Sequence, residues 1–341
     1  MLKRHLNACL NGETLSETSA EEVMNEIMNG LATPAQIASF ITVMRFRGET
    51  VDEITGFARA MRSHSLMIPY NSEHLIDTCG TGGDSLRTFN ISTTVALVLS
   101  SFGIKVAKHG NRAVSSKSGS ADVLEHLGID IQRTPDEAAK SLENHHLCFL
   151  FAPLYHQSMK HAVTPRKELG FRTIFNILGP LTNPAQAKHQ LLGVYDVKML
   201  DKMAEALQRL GTKHSLVVSG GEGLDECSIT TFTDVVEIKG NERIRYQITP
   251  EQFGLTRGKL EEIQVHTPEE SAKLILEVLQ GKANVSSQNI VYLNAGVALY
   301  GADQVASIQE GVELVQKRVE TGEVYEHFLQ LQGERRESQH A

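Results

Sequence analysis

The chain has 341 residues, 41% of them hydrophobic, and its 33 Lys and Arg against 41 Asp and Glu give a net charge of −8. That length suits about two domains and a full core without disulfides. The acidic balance excludes a basic nucleic-acid coat and a polybasic membrane binder, and taken at face value it also disfavours a site for a small polyanion.

The first 64 residues read as helices. Ser19 and Glu22 form a candidate capping box before Val23 and Ile27, with Gly30 as the stop. Thr33 and Pro34 open a second run that Gly48 ends, and Thr50 with Glu53 opens a third. Strand-like alternation is lacking here, which predicts a small all-helical domain over residues 1–66. Beyond Ile68-Pro69-Tyr70 the pattern changes. Expected strands are Leu75–Thr78, Lys105–Lys108, Ile129–Gln132, Cys148–Phe151, Leu191–Tyr195 and Ser215–Ser219. Helical runs at Ile91–Phe102, Pro135–Asn144 and Lys198–Leu210 separate several of them. The alternation predicts an α/β domain over residues 72–332 with a mostly parallel central sheet. Val235–Thr249 reads as an antiparallel hairpin, Pro268–Gln280 as a helix, and the polar stretch 333–341 as a frayed tail.

Cys9, Cys79, Cys148 and Cys227 lie far apart and show no ligand spacing, so reduced thiols are expected. His145, His146 and His156 show none either. The N-terminus lacks the apolar core of a signal peptide, and Val95–Leu99 and Leu147–Ala152 are too short to span a bilayer. A cytoplasmic protein is expected, without nucleic-acid or membrane partners.

Four segments carry candidate chemistry. In residues 77–93 a strand runs into Gly80, Gly82 and Gly83, and a helix starts near Asn90–Ser92. Glycines allow close backbone approach and a helix start offers free N–H groups, the makings of a phosphate cradle. The spacing is neither a Walker loop nor a dinucleotide fingerprint, and glycine-rich turns of this kind are common. Residues 108–122 gather Lys108, His109, Asn111, Arg112, Ser115, Ser116, Lys117, Ser118 and Ser120, all hydrogen-bond donors. From Ser85 to Ala121 there is no Asp or Glu, while Arg87, Lys105, Lys108, Arg112 and Lys117 are cationic. Asp225 and Glu226 are adjacent carboxylates beyond a strand, a place suited to Mg²⁺, although such pairs are often plain surface. Arg166, Lys167 and Arg172 follow Pro165 or flank Gly170, and Arg166 could grip a carboxylate with two hydrogen bonds.

Taken together and in this order, GTGGD with FNIST, KHGNRAVSSKSGSAD, RKELGFRTIFNILGPLTNP and GLDE resemble the motif set of the anthranilate phosphoribosyltransferase family. The resemblance spans nearly the whole chain. One departure is Ser85, where the family usually has glycine after GTGGD. The resemblance implies a nucleoside phosphorylase/phosphoribosyltransferase type of fold, with helices from about 154–182 joining the small domain across a hinge. It implies a homodimer that transfers the 5-phosphoribosyl group of phosphoribosyl pyrophosphate (PRPP) to anthranilate in tryptophan biosynthesis.

Carried over by position, the PRPP site is Gly80, Gly83, Asp84, Thr88, Asn90, Ile91, Ser92, Thr93, Lys108, His109, Gly110, Asn111, Arg112, Ala113, Val114, Ser115, Ser116 and Ser120. Anthranilate falls to Gly80, Asn111 and Arg166. Mg²⁺, expected as two ions with one on the pyrophosphate, falls to Ser92, Asp225 and Glu226. Lys108, Asn111 and Arg166 are the expected catalytic residues. A relative using another acceptor, a transferase or a phosphorylase, and a noncatalytic nucleic-acid-binding relative are the competing readings.

Overall fold

The computed structural model of the chain describes residues 1–113 and 118–338. Four helices come first: α1 Leu2–Leu10, α2 Glu17–Met28, α3 Pro34–Arg47 and α4 Val51–Ser63. Thr33 with Gln36 and Thr50 with Glu53 form reciprocal capping boxes, as the sequence predicts. The cap of α2 differs from expectation. Ser16 rather than Ser19 caps it, and Ser19 supplies the N–H that the Ser16 hydroxyl accepts at 3.2 Å. The helix therefore begins almost a turn early. Glu53 is fully buried because it does more than cap: it accepts from the Leu15 N–H at 2.8 Å and pairs with Arg47.

The rest is built on one seven-stranded sheet: β1 Ile76–Gly80, β2 Val106–Gly110, β3 Leu147–Phe151, β4 His189–Gly193, β5 His214–Gly220, β6 Thr233–Lys239 and β7 Glu242–Ile248. Its order is β3-β2-β1-β4-β5-β6-β7. The first five positions in that order pair in parallel, and β6 and β7 add an antiparallel hairpin. The chain leaves β1 toward β2 on one side, while β4 lies on the other, so the switch point falls at the C-terminal ends of β1 and β4.

Ile129–Gln132 is not a strand. Ile129 and Ile131 are buried at alternate positions, which mimics a strand's period, but the segment pairs with no strand of the sheet. Asp130 accepts the Gln132 N–H at 2.9 Å in a local turn.

Alternation along the strands feeds three cores, the smallest of them formed by Ala107, Cys148 and Leu150 with Leu142 and Tyr155. Ile76, Val106, Leu191, Leu216, Val218 and Val235 face a core shared with α5 Ile91–Ser101 and the C-terminal helices. Cys79, Leu192, Val217 and Val236 face a core shared with α1 to α4. Ala162, Ile174, Phe175 and Leu178, from the helical stretch after β3, join that second core. The last helix, Glu323–Ser338, extends through 333–338, where the polar composition predicts fraying. All four cysteines are free and buried. No helix among the described residues is long and apolar enough to cross a membrane.

Candidate functional site

Two adjoining clefts open above the C-terminal ends of β1 and β2. The larger, of about 420 Å³, contains Gly80, Gly83, Asp84, Thr88, Asn90, Ile91, Ser92, Lys108, His109, Gly110, Asn111 and Ser120, with Asp225 and Glu226. The second, of about 250 Å³, holds Arg166, Phe175 and Pro180. Gly80, His109, Gly110 and Asn111 border both.

The floor is a buried charge cluster. Lys108 is 3% exposed, and its ammonium donates to the Thr78 carbonyl at 2.6 Å and the Ser92 hydroxyl at 3.2 Å. It thus forms part of the floor beneath the cleft instead of reaching across it. Burial lowers its pKa, opposed by the nearby Asp77, Cys79, Glu226 and Asp225. Asp225 accepts the Gly82 N–H at 2.7 Å. Burial, with the negative charge of Asp84, raises its carboxyl to about 7. Glu226 is raised well above the ordinary carboxylate range, first by burial and then by Asp225, while Lys108 and the Ser92 N–H pull it down. Buried carboxylates crowded in this way call for a cation beyond the single lysine. Among the described residues no three His, Cys, Asp or Glu side chains form a closed metal cage. Asp225 and Glu226 are the carboxylates at the cleft that could hold a cation such as Mg²⁺, which takes one or two carboxylates from a protein.

Close backbone approach sets the acid pair. A Cβ on Gly80 would lie 2.2 Å from Asp225 Oδ2, and one on Gly193 would lie 1.5 Å from the Asp225 carbonyl oxygen. The ends of β1 and β4 thus press directly on Asp225, and Gly193 is a site residue the sequence reading did not single out.

Asn90 sits at the start of α5 in a three-way knot. Its side-chain oxygen accepts from Ser118 at 2.7 Å and Ser271 at 2.9 Å, and its N–H donates to the Ser271 hydroxyl at 3.0 Å. Ser271 lies 181 residues away, so motif reading could not find it. Thr93 does not join the cleft. One residue beyond Ser92 on the helix, it turns inward, is 1% exposed, and lines a small internal cavity instead.

Arg112 and Ala113 also lie outside the larger cleft. Arg112 borders the second, with its guanidinium bonded to Asp122 at 2.9 Å and to Glu125 at 2.6 and 2.9 Å. The Ala113 N–H donates to Asp122 at 2.9 Å. Asp122 is the first carboxylate after the acid-free span, and it pairs with Arg112, one of that span's five cations. Val114, Ser115, Ser116 and Lys117 lie outside the described residues. Of the five cations, Arg87 and Lys108 line the larger cleft, and Lys105 is engaged by Glu143 and the Leu142 carbonyl near the start of β2.

His109 donates its backbone N–H to Asp77 at 3.2 Å, and Nδ1 lies 3.2 Å from the Gly179 carbonyl. Burial, then the neighbouring His156, pushes its ring down to about 3, so it is neutral at pH 7. Arg166 is half-buried, with its guanidinium 5.3 Å from the centre of the Phe175 ring. It pairs with no carboxylate among the described residues, and burial lowers its pKa. A partly desolvated arginine without an acid partner among the described residues, beside an aromatic face, can receive a planar carboxylate. Arg172, by contrast, braces the glycine loop: it donates to the Gly83 carbonyl and stacks 4.4 Å from the Tyr195 ring centre.

Ser85, at the loop tip, has φ 64, and Arg87 has φ 60. Both lie in the left-handed region that favours glycine. Ser85→Gly is expected to stabilise the protein by about 0.5–1 kcal/mol, net of the added freedom of the unfolded chain. Thermal unfolding checks it: the midpoint should rise by roughly 1–2 °C, and no rise would refute the strain at this position.

A glycosyl transferase family model for the a/b domain matches residues 72–325, and one for the helical bundle domain matches residues 3–65. The anthranilate phosphoribosyltransferase of Halalkalibacterium halodurans is 60% identical over 342 aligned positions, covering 100% of both chains. That of a Geobacillus species is 58% identical over 97% of both. Among solved structures, the anthranilate phosphoribosyltransferase of Thermus thermophilus is similar with a TM-score of 0.91 and 40% identity, over 97% of this chain and 99% of that one. The Saccharomyces cerevisiae enzyme in complex with PRPP and Mg has a TM-score of 0.88 and 28% identity over 98% of both.

Proposed function

The chain belongs to the anthranilate phosphoribosyltransferase family, and from that premise we propose that it moves the 5-phosphoribosyl group of PRPP to the amino group of anthranilate. The products are N-(5-phosphoribosyl)anthranilate and pyrophosphate, and the step belongs to tryptophan biosynthesis. The observation that carries this reading is the pairing of two clefts across Gly80 and Asn111, one with an acid pair of which Glu226 is buried and Asp225 partly so, and the other with an arginine lacking an acid partner among the described residues. One solved structure of the yeast relative contains PRPP and Mg, and another structure of the same enzyme contains 4-fluoroanthranilate.

In this reading the larger cleft takes PRPP. Gly80, Gly83, Asp84 and Thr88 follow its ribose and pyrophosphate along the loop, and Asn90, Ile91 and Ser92 present the start of α5 to phosphate. His109, Gly110, Asn111 and Ser120 close the other side. Asp225 and Glu226, with the Ser92 hydroxyl, hold Mg²⁺, of which we propose two ions, one carried with the pyrophosphate. When bound, the metal offsets the charge that builds on departing pyrophosphate. Lys108 adds a fixed positive charge beneath that site. Arg166 receives the anthranilate carboxylate, Phe175 lies beside it, and Asn111 spans both clefts to align the amine with the anomeric carbon. The aromatic amine is neutral at pH 7 and attacks without prior deprotonation: the C–N bond forms as the anomeric C–O bond to pyrophosphate breaks, and the nitrogen then releases one proton to the medium.

We also propose a homodimer, a cytoplasmic location, and a division into residues 1–66 and 72–332 with 154–182 added to the smaller part. The test of the activity is a direct assay with PRPP, anthranilate and Mg²⁺, following the loss of anthranilate fluorescence. Turnover with anthranilate and none with nucleobases or other aromatic amines is expected. Preference for a nucleobase would overturn the acceptor assignment.

A further inference from the structure

The backbone of Cys227, the residue next to the acid pair, is gripped on both its polar groups by one buried side chain. Helix Val285–Gly301 carries Asn294, which is 0% exposed. Its Oδ1 accepts the Cys227 N–H at 2.8 Å, and its Nδ2 donates to the Cys227 carbonyl at 2.9 Å and to the Ile290 carbonyl at 2.8 Å. Both amide hydrogens and the amide oxygen are therefore in use. The side chain pairs with Cys227 on both its backbone groups, as a neighbouring strand would, where no strand is present. Cys227 is itself fully buried and directly follows Glu226. On the other side of the dipeptide, the ends of β1 and β4 press on Asp225, and Gly82 donates to its carboxylate.

We propose that Asn294 is a positioning residue: it fixes the backbone at Cys227 and thereby aims the Glu226 and Asp225 carboxylates at the metal of the metal–PRPP complex. This rests on reading Asp225 and Glu226 as the metal carboxylates. Two adjacent carboxylates that must converge on one cation repel each other, so their placement needs a rigid backbone support. The same helix provides an internal comparison. Asn289 is also buried, but its amide donates to the Thr256 carbonyl at 3.1 Å, away from the acid pair.

The experiment is calorimetric titration of PRPP into the full chain, once with Mg²⁺ and once with EDTA, for the wild type, Asn294→Ala, Asn289→Ala and the double variant Asp225→Asn with Glu226→Gln. The readout is the gain in PRPP affinity that Mg²⁺ confers. Asn294→Ala is expected to lose about tenfold of that gain, since a buried peptide group is left without its partners, while its affinity in EDTA stays within about twofold of wild type. Asn289→Ala should keep the gain. An unchanged gain in Asn294→Ala overturns the proposal, and so does an equal loss in both asparagine variants, which would mark general loosening of the helix. A full gain in the double carboxylate variant would instead remove the metal reading itself. Should Asn294→Ala not fold, Asn294→Ser is measured in the same way, with the same loss expected and the same outcomes decisive.

Discussion

Replacing Asp225 by Asn together with Glu226 by Gln is expected to lower turnover about a thousandfold while the protein still folds, since metal-assisted stabilisation of a departing pyrophosphate contributes on the order of 4 kcal/mol. The amides keep the shape of the carboxylates and lose their charge. The same substitution should change stability in the opposite direction. The Asp225 carboxyl is raised from 3.8 to about 7 in the folded chain, chiefly by burial and then by Asp84. A raised carboxyl favours the fold below its unfolded value and loses that advantage as pH climbs through its folded one. In EDTA, the thermal midpoint of the wild type should therefore drop relative to that of the double variant between pH 4 and pH 8, since the buried histidines, whose lowered pKa values favour the fold as pH rises, act on both alike. Steady-state kinetics with added Mg²⁺ and unfolding scans across this range measure the two effects. Wild-type turnover in the variant would overturn the metal assignment, and identical pH slopes would overturn the account of the buried charge.

Arg166→Ala is expected to raise the KM for anthranilate by about 10–100-fold, the loss of a charged, two-pronged hydrogen bond in a partly desolvated setting. The KM for PRPP should stay within about threefold. Arg166→Lys should recover only part of the loss, since an ammonium cannot offer the planar fork. Initial rates at varied anthranilate and fixed saturating PRPP measure this. A large rise in the PRPP constant with anthranilate unaffected would move Arg166 to the other cleft.

Much of this arrangement was legible in the sequence for a physical reason. Glycine turns after β1, the start of α5 and the donors after β2 are local features, and local spacing reports them. The acid pair was visible because it follows β5 at the end where such sheets bind ligands. What stayed hidden depends on contacts between distant residues. Ser271 meets Asn90 across 181 positions, Gly193 is distinguished only by the carbonyl it must admit, and Arg112 reads as a free donor until Asp122 and Glu125 are seen to hold it. The lack of acid between Ser85 and Ala121 was a true feature of the sequence. It was a poor guide to field strength, because Lys105 and Arg112 in that span carry their own carboxylates from outside it. The mistaken strand at Ile129–Gln132 has a similar origin, since burial alternates there without any partner to pair with.

The core under the sheet bears on how this molecule can be dissected. Leu192, Val217 and Val236 of the sheet pack in the same cluster as Phe40, Ile54 and Phe57 of the first four helices. Severing the chain in the connection at 66–71 would not release two self-sufficient pieces. Each would bare an apolar face that the other now covers, the fragment of four helices losing the larger share for its size. The two parts that match separate family models are thus recognisable as units of descent, while they form a joint unit of solubility.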